Sequence, residues 1–319
     1  MSESWPALPY EEWKETYATL HMWMQVAGKI ALAQAPPVNH SWAVAMLLTP
    51  RGLSTQLLPY GSRSFAIEFD YVAHQLIVHI CDGPSRTLPL RPQSVAEFYR
   101  AVMDLLREMG LPVRIWPMPV EIPHPVRFED DTAHHTYDPE QAHRFWTILT
   151  RIAPVFTERR AAFIGKTSPV HVFWGSLDLA VTRFSGRLAP PRDGPAFMRD
   201  AYSHEVISHG FWPGSGAVLE PAFYAYAVPE PVGLKDAIVS PPAAFYHPQM
   251  GEFILPYEAV RTAANPAAAL REFIDSTFDH AATLGKWDRA ALERASWLLP
   301  NVSGGDAPVS SQMAAGRNR

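Results

Sequence analysis

Proline occupies 31 of the 319 positions, and that interruption limits every element the chain can build. The prolyl ring fixes φ and removes a backbone donor, so it neither continues a helix nor sits within a central strand. Elements must therefore fit between prolines, joined by rigid connections and long ordered loops. Residues 11–34 make such a stretch, with Trp13, Tyr17, Leu20, Met24 and Ala27 at near-helical spacing before Pro36-Pro37. That spacing predicts a helix.

Extended segments follow. SWAVAMLLT (41–49) is nearly all apolar, as for a strand covered on both faces, and GLSTQLLP (52–59) comes after a turn at Pro50-Arg51-Gly52. SFAIEFDY alternates, with Phe65, Ile67, Phe69 and Tyr71 on one face and Glu68 and Asp70 on the other. HQLIVHICDG returns as its partner, and short turns between neighbours imply an antiparallel meander. A capping box, Ser94 to Glu97, opens a helix to about Glu108, which Gly110 ends. The proline-rich, acidic stretch 111–137 reads as a linker or long ordered loop. Asp138-Pro139-Glu140-Gln141 then supplies an N-cap and an N1 proline for a helix to about Phe163. A polar and aromatic strand within 165–187 precedes an irregular stretch at 187–220, strands at 222–228 and 251–256, and helices at 266–284 and 287–298. The small, polar tail 301–319 is expected to be disordered.

The fold class is therefore α+β, with antiparallel sheet meanders flanked by helices in one globular domain over 1–300. The order helix, strands, helix occurs at 11–110 and again at 138–284. PVNHSWAVAMLLTPRG and PVHVFWGSLDLAVTRFSG also share a faint echo. A duplicated unit is one reading, and chance similarity of two aromatic strands is the default.

Composition removes several function classes. No run of 18 residues is free of charges and breakers, so no membrane span is expected. The N-terminus lacks the basic and apolar regions of a secretory signal. Cys81 is the only cysteine, which leaves no intrachain disulfide and fits a cytoplasmic protein. A net charge of −5 without a basic block argues against nucleic-acid binding. Ten tryptophans imply large buried rings, some lining a cavity.

The motifs HVFWGSLDLAVTRFSGR, YSHEVISHGFWPG and NHSWAVAMLLTPRGL resemble an uncharacterised bacterial family known only as a domain of unknown function. The resemblance reaches to about residue 294 and implies no activity, substrate or cofactor.

Familiar motifs are absent or broken. Gly165-Lys166-Thr167-Ser168 resembles a P-loop end, but Arg160 stands where a glycine is required, and the helix comes before it. His204 and His209 lie five apart, on no common face of a helix or a strand, so a helical two-histidine zinc site is excluded. EDDTAHHTYD (129–138) suits a divalent cation or, more plainly, a solvated loop leading to the Asp138 cap. Cys81 shares a strand face with His79, the usual role of a lone cysteine being that of a small buried filler. Neither a nucleophile elbow nor a dinucleotide fingerprint occurs.

Weight falls on the strand within 165–187. Its odd positions Phe173, Leu177, Leu179 and Val181 form an apolar face for helices, and its even positions Trp174, Ser176, Asp178 and Thr182 a polar one. A carboxylate in mid-strand is costly to bury without a partner. Candidate partners for Asp178 are Arg183, Arg187, Arg51 or a histidine of 204–209. A bulge at Gly175 would flip the parity before it and bring His171 onto the polar face. The reading is a small-molecule binding protein or enzyme with a polar, aromatic pocket that accepts an anionic ligand. His204, Glu205 and Asp178 are the expected proton-transfer groups. His171, Trp174, Ser176, Arg183, Arg187 and Trp212 are the expected ligand contacts. The rival readings are a non-catalytic interaction module, marked by a flat aromatic patch, and a metal-dependent hydrolase.

Overall fold

The computed structural model describes residues 5–294 except positions 195 and 217. The expected tail and the end of the expected last helix lie outside the described residues. Helix α1 spans Tyr10–Gln34, and every residue from Leu20 to Ala31 is buried. A helix covered on all sides is a core element, and here its neighbours are aromatic. Trp13 stacks on Phe145 at 5.3 Å and Trp23 on Phe98 at 4.7 Å, drawing the helices α2 (Val95–Glu108) and α3 (Pro139–Ala161) against it. Both expected caps are present: Ser94 and Glu97 form the capping box, and Asp138 accepts from the amides of Glu140 and Gln141.

The first sheet comprises β1 (Leu47–Leu48), β2 (Gly52–Ser54), β3 (Leu58–Tyr60), β4 (Arg63–Asp70), β5 (Gln75–Ile80) and β6 (Arg86–Pro89). All pairings are antiparallel, in the order β1-β2-β4-β5-β6 with β3 also on β4. The alternation in β4 sends Phe65, Ile67 and Phe69 into the core. The buried strand expected at 41–49 forms differently. Residues 39–44 make a tight turn with His40 and Ser41 at positive φ, and only Leu47–Leu48 extend. The turn is held from outside: His40 N–H donates to Asp200 at 3.0 Å, and its Nδ1 meets the Ala201 carbonyl at 2.6 Å.

The second sheet comprises β7 (His171–Phe173), β8 (Asp178–Leu188), β9 (His204–Trp212), β10 (Ala222–Val228), β11 (Phe245–His247) and β12 (Glu252–Pro256), ordered β11-β12-β10-β9-β8-β7. Two expectations are corrected here. The featured strand is a hairpin, turning at 174–177 with Leu177 at φ 58°. The stretch expected to be irregular contains a short helix, α4 (Ala196–Ala201), and all of β9. The missed strand has a physical cause: a strand whose two faces are both covered shows little alternation. Helices α5 (Tyr257–Arg261), α6 (Pro266–Leu284) and α7 (Arg289–Leu292) follow within the described residues, with Asn265 capping α6.

The order helix, antiparallel sheet, helix thus occurs twice, and one apolar cluster takes side chains from both sheets, α1, α2, α3 and α6. Met46 and Val172 exchange backbone hydrogen bonds of 2.9 and 2.8 Å, joining the sheets at their edges. Among the described residues no helix is long and apolar enough to cross a membrane.

The hairpin turn docks on α1 through Gly28. A Cβ there would lie 2.2 Å from the Trp174 indole. Alanine gains about 1 kcal/mol of helix propensity over glycine, while overpacking costs about 1–3 kcal/mol. With so short an approach the second effect wins. Gly28→Ala is expected to lower stability by about 1–2 kcal/mol in urea unfolding and to displace Trp174, seen as altered tryptophan fluorescence. A variant as stable as the parent would show that the indole does not need this seat.

Candidate functional site

The second sheet presents two unlike faces. Odd positions of β8 and β9, including Leu179, Val181, Ile207 and Phe211, are buried beneath α3 and α6. The even positions face a cavity of about 790 Å³, which the C-terminal half of α1, the 39–44 turn, α4 and the loop at Val120-Glu121 also line. A polar stripe on α1 positions much of this lining. His21 Nε2 lies 2.7 Å from the Gly175 carbonyl, so that nitrogen carries the proton and anchors the hairpin turn. Gln25 donates to Val120 O at 2.7 Å and accepts from Val120 N at 2.8 Å, pinning the loop as a paired strand residue would. Lys29, one turn further on, reaches the cavity itself.

Asp178 begins β8 at the turn and accepts two hydroxyl hydrogen bonds, from Ser176 at 2.5 Å and from Tyr224 of β10 at 2.5 Å. Register makes the second possible. Tyr224 pairs with Gly210, and a Cβ on Gly210 would lie 2.1 Å from the phenol ring. Burial, and then the Asp178 charge, push the Tyr224 hydroxyl well above its ordinary pKa, so it remains a donor. Tyr226 stacks on Tyr224 with centroids 6.0 Å apart and shares a 3.1 Å hydrogen bond with Tyr202. Glu252 of β12 lies on the same face. Burial, reinforced by Asp178, raises its carboxyl to about 7. At the mouth, Glu121 lies over Gly175, where a Cβ would come within 2.6 Å of its Oε1. Its carboxyl is raised by the surrounding protein and by Asp178. The cavity therefore combines aromatic walls with carboxyl groups of unlike basicity, which suits proton transfer near neutral pH.

Of the residues expected from sequence, Trp174, Ser176, Asp178 and Trp212 line this cavity. His171 pairs with Ala180, on the Asp178 side of the hairpin, the parity flip coming from the turn rather than from a bulge. It is fully buried behind Phe173, with ring centroids 4.4 Å apart, and is not among the lining residues. The remaining expectations are corrected. His204 and Glu205 stand at the opposite end of β9 from Trp212, roughly 25 Å from Asp178 by strand rise. His204 bonds Ser203, and Glu205 accepts from Ser185 and pairs with Arg187 at 2.6 Å. Arg187 spends its other donors on the carbonyls ending α6. Arg183 points to the helix side, donating to Arg159 O and lying 4.5 Å from the Phe278 ring. Arg51 pairs with Asp70. The partner of Asp178 is a tyrosine, not an arginine or a histidine.

Sequence reading missed Lys29, Glu252, Tyr224 and Tyr226. The tyrosines could have been found, since AFYAYAV places them two apart on one strand face. Lys29 and Glu252 carried no such signal, because their neighbours are ordinary helix and strand residues.

His204 and His209 do face opposite ways: His209 is buried on the helix side, 3.0 Å from the Thr277 hydroxyl. In the acidic loop, Asp131 accepts from the amides of Ala133 and His134 and from the His134 ring at 2.7 Å, a turn-forming role. Among the described residues no group of three histidine, cysteine, aspartate or glutamate side chains is arranged to hold a metal. Cys81 is exposed, just past the end of β5, and not the buried filler expected of it, and both nitrogens of His79 are engaged, with Ser85 and Glu68.

The family model DUF5996, described as a family of unknown function, matches residues 5–294, so the chain belongs to that family. No curated protein matches the chain, and no solved structure does.

Glu252 has a signature in stability. The folded chain keeps this proton where the unfolded chain, with an ordinary value of 4.5, has lost it. Stability is therefore expected to fall as pH rises from about 4.5 through about 7. Glu252→Gln removes this loss, so its stability relative to the parent should rise by about 2 kcal/mol between pH 4 and pH 8 in urea titrations. A flat difference would place the Glu252 carboxyl in ordinary solvent. Tyr224→Phe, leaving Asp178 with one buried donor fewer, is expected to cost about 1–3 kcal/mol in the same measurement.

Proposed function

We propose that this chain, a member of a family without an assigned activity, binds a small molecule in the cavity beside Asp178 and acts on it by proton transfer. One observation carries the reading: Asp178, fixed by Tyr224 and Ser176, shares a cavity of about 790 Å³ with Glu252, whose carboxyl titrates at about 7. The volume lies within the range of small-molecule sites, and aromatic and apolar walls with few polar groups match their usual make-up. Glu252 is the general acid or base, because a group that titrates near neutral pH can both give and take a proton there. Asp178 orients the ligand and adds to the rise that burial imposes on Glu252. The roles first expected of His204 and Glu205 pass to Glu252 and Tyr224. Lys29, and not Arg183 or Arg187, brings an amine to the cavity.

The concave placement of Trp174, Trp212, Tyr224 and Tyr226 favours a pocket over the flat patch an interaction module would present. The setting we propose is a bacterial cytoplasm, where a chain with Cys81 as its one cysteine needs no disulfide.

The test is a thermal-shift screen of a metabolite panel against the parent, Ser208→Trp and Glu252→Gln. Ser208 lines the cavity, so an indole there should abolish the ligand-induced shift while far-ultraviolet dichroism stays unchanged. Glu252→Gln should retain binding and lose about 10²–10⁴-fold in turnover of the ligand so found. Ligands that stabilise all three proteins alike would refute the cavity as the site.

A further inference from the structure

Lys29 is 4% exposed, and among the described residues its Nζ has no hydrogen bond and no ion pair. It meets ring faces instead, 4.7 Å from the Trp116 centroid and 5.9 Å from that of Trp174. The other four lysines differ. Lys14 pairs with Glu11, and Lys166, Lys235 and Lys286 are exposed. An ammonium group withdrawn from water without a counter-charge is costly, and that cost favours the neutral form of the amine. Burial alone pushes Lys29 below its ordinary value, with no carboxylate acting to hold the charge. A neutral amine is a nucleophile, and desolvation in an apolar pocket is one of the ways a lysine is made reactive. The position is also built rather than incidental. Gln25 and Gly28, on the same side of α1, hold Val120 and Trp174 around the amine.

We propose that Lys29 condenses with the carbonyl carbon of an aldehyde or ketone bearing an aromatic or apolar body, forming an imine within the cavity. The proposal rests on the cavity being a small-molecule site. The Nζ lone pair attacks the carbonyl carbon, a C–N bond forms, and the C=O π pair moves to oxygen. A proton passes from nitrogen to that oxygen, giving a carbinolamine. The hydroxyl takes a second proton, its C–O bond breaks, and one water leaves as nitrogen gives up its remaining proton and C=N forms. The sum is amine plus carbonyl to imine plus water, with no change of oxidation state. The flanking indoles of Trp116 and Trp174 suit a flat apolar body on the carbonyl. An imine also acidifies neighbouring C–H bonds, which gives a carboxyl of Glu252's basicity a proton to take.

Benzaldehyde with cyanoborohydride tests this on the full chain, since reduction fixes any imine as a benzylamine that peptide mass spectrometry locates. At pH 7 Lys29 is expected to be modified several-fold faster than Lys14, Lys166, Lys235 or Lys286, since burial favours its neutral amine. Lys29→Arg, which cannot form the imine, should lose this fast phase alone. Modification of the exposed lysines with Lys29 untouched would overturn the proposal. Benzyl alcohol, the same body without the electrophilic carbon, separates the two readings. A melting shift with benzyl alcohol beside an inert Lys29 sinks the imine and leaves the cavity reading standing. No shift with either aromatic, and an inert Lys29, counts against both.

Discussion

One side of the buried stretch of α1 holds this molecule's cavity together. From Leu20 to Ala31, α1 is covered on every side, yet it carries His21, Gln25 and Lys29 into the interior. Buried polar groups are tolerated only with partners, and each partner here is a piece of the cavity wall. His21 takes the carbonyl of the hairpin turn, and Gln25 takes both backbone groups of Val120. Gly28 supplies the space between them for the Trp174 indole. Burial holds the His21 ring down at about 4, so it stays neutral and its bond to Gly175 persists through the physiological range. Lys29 is the exception, having ring faces and the cavity in place of a polar partner.

The second sheet supplies the rest by a division of its faces. Its odd side chains meet α3 and α6 and carry the stability of that half, while the even ones are free to be chemical. Burying Asp178 on that side becomes tolerable because Tyr224 and Ser176 both donate to it. Burial raises the carboxyls of Glu252 and Glu121, and the fixed carboxylate of Asp178 adds to both shifts. The spread in basicity among these groups follows from their different burial and from sharing one low-dielectric space.

Part of the site was legible before the fold. The alternation of Asp178 and Thr182 is a property of the strand itself, so their common side could be read directly. Ser176 reaches Asp178 from the turn, and Trp212 lies on β9, in a stretch expected to be irregular. The arginines misled for an instructive reason. Arg183 lies five residues after Asp178, an odd spacing that puts it on the other face of the strand. It lies among the helices, donating to Arg159 O and facing the Phe278 ring. Arg187 and Glu205 satisfy each other, and an exchange between neighbouring strands is invisible until register is known.

Local physics was readable from the chain by itself. The Ser94 capping box, the Asp138-Pro139 and Asn265-Pro266 helix starts and the alternation of β4 all depend on residues two to four apart, and all are present. The α+β class follows from such elements. Tertiary structure decided what no local rule can reach. The turn at 174–177 was read as strand, because its polarity alternates like the strand beside it. The cavity joins Lys29, Glu121, Asp178, Tyr224 and Glu252, from three helix, loop and strand contexts spread over most of the chain. Whether a carboxyl is raised or an amine left without a partner depends on what packing brings within a few ångströms. That is set by strand register and by the route of α1, which no short window of sequence contains.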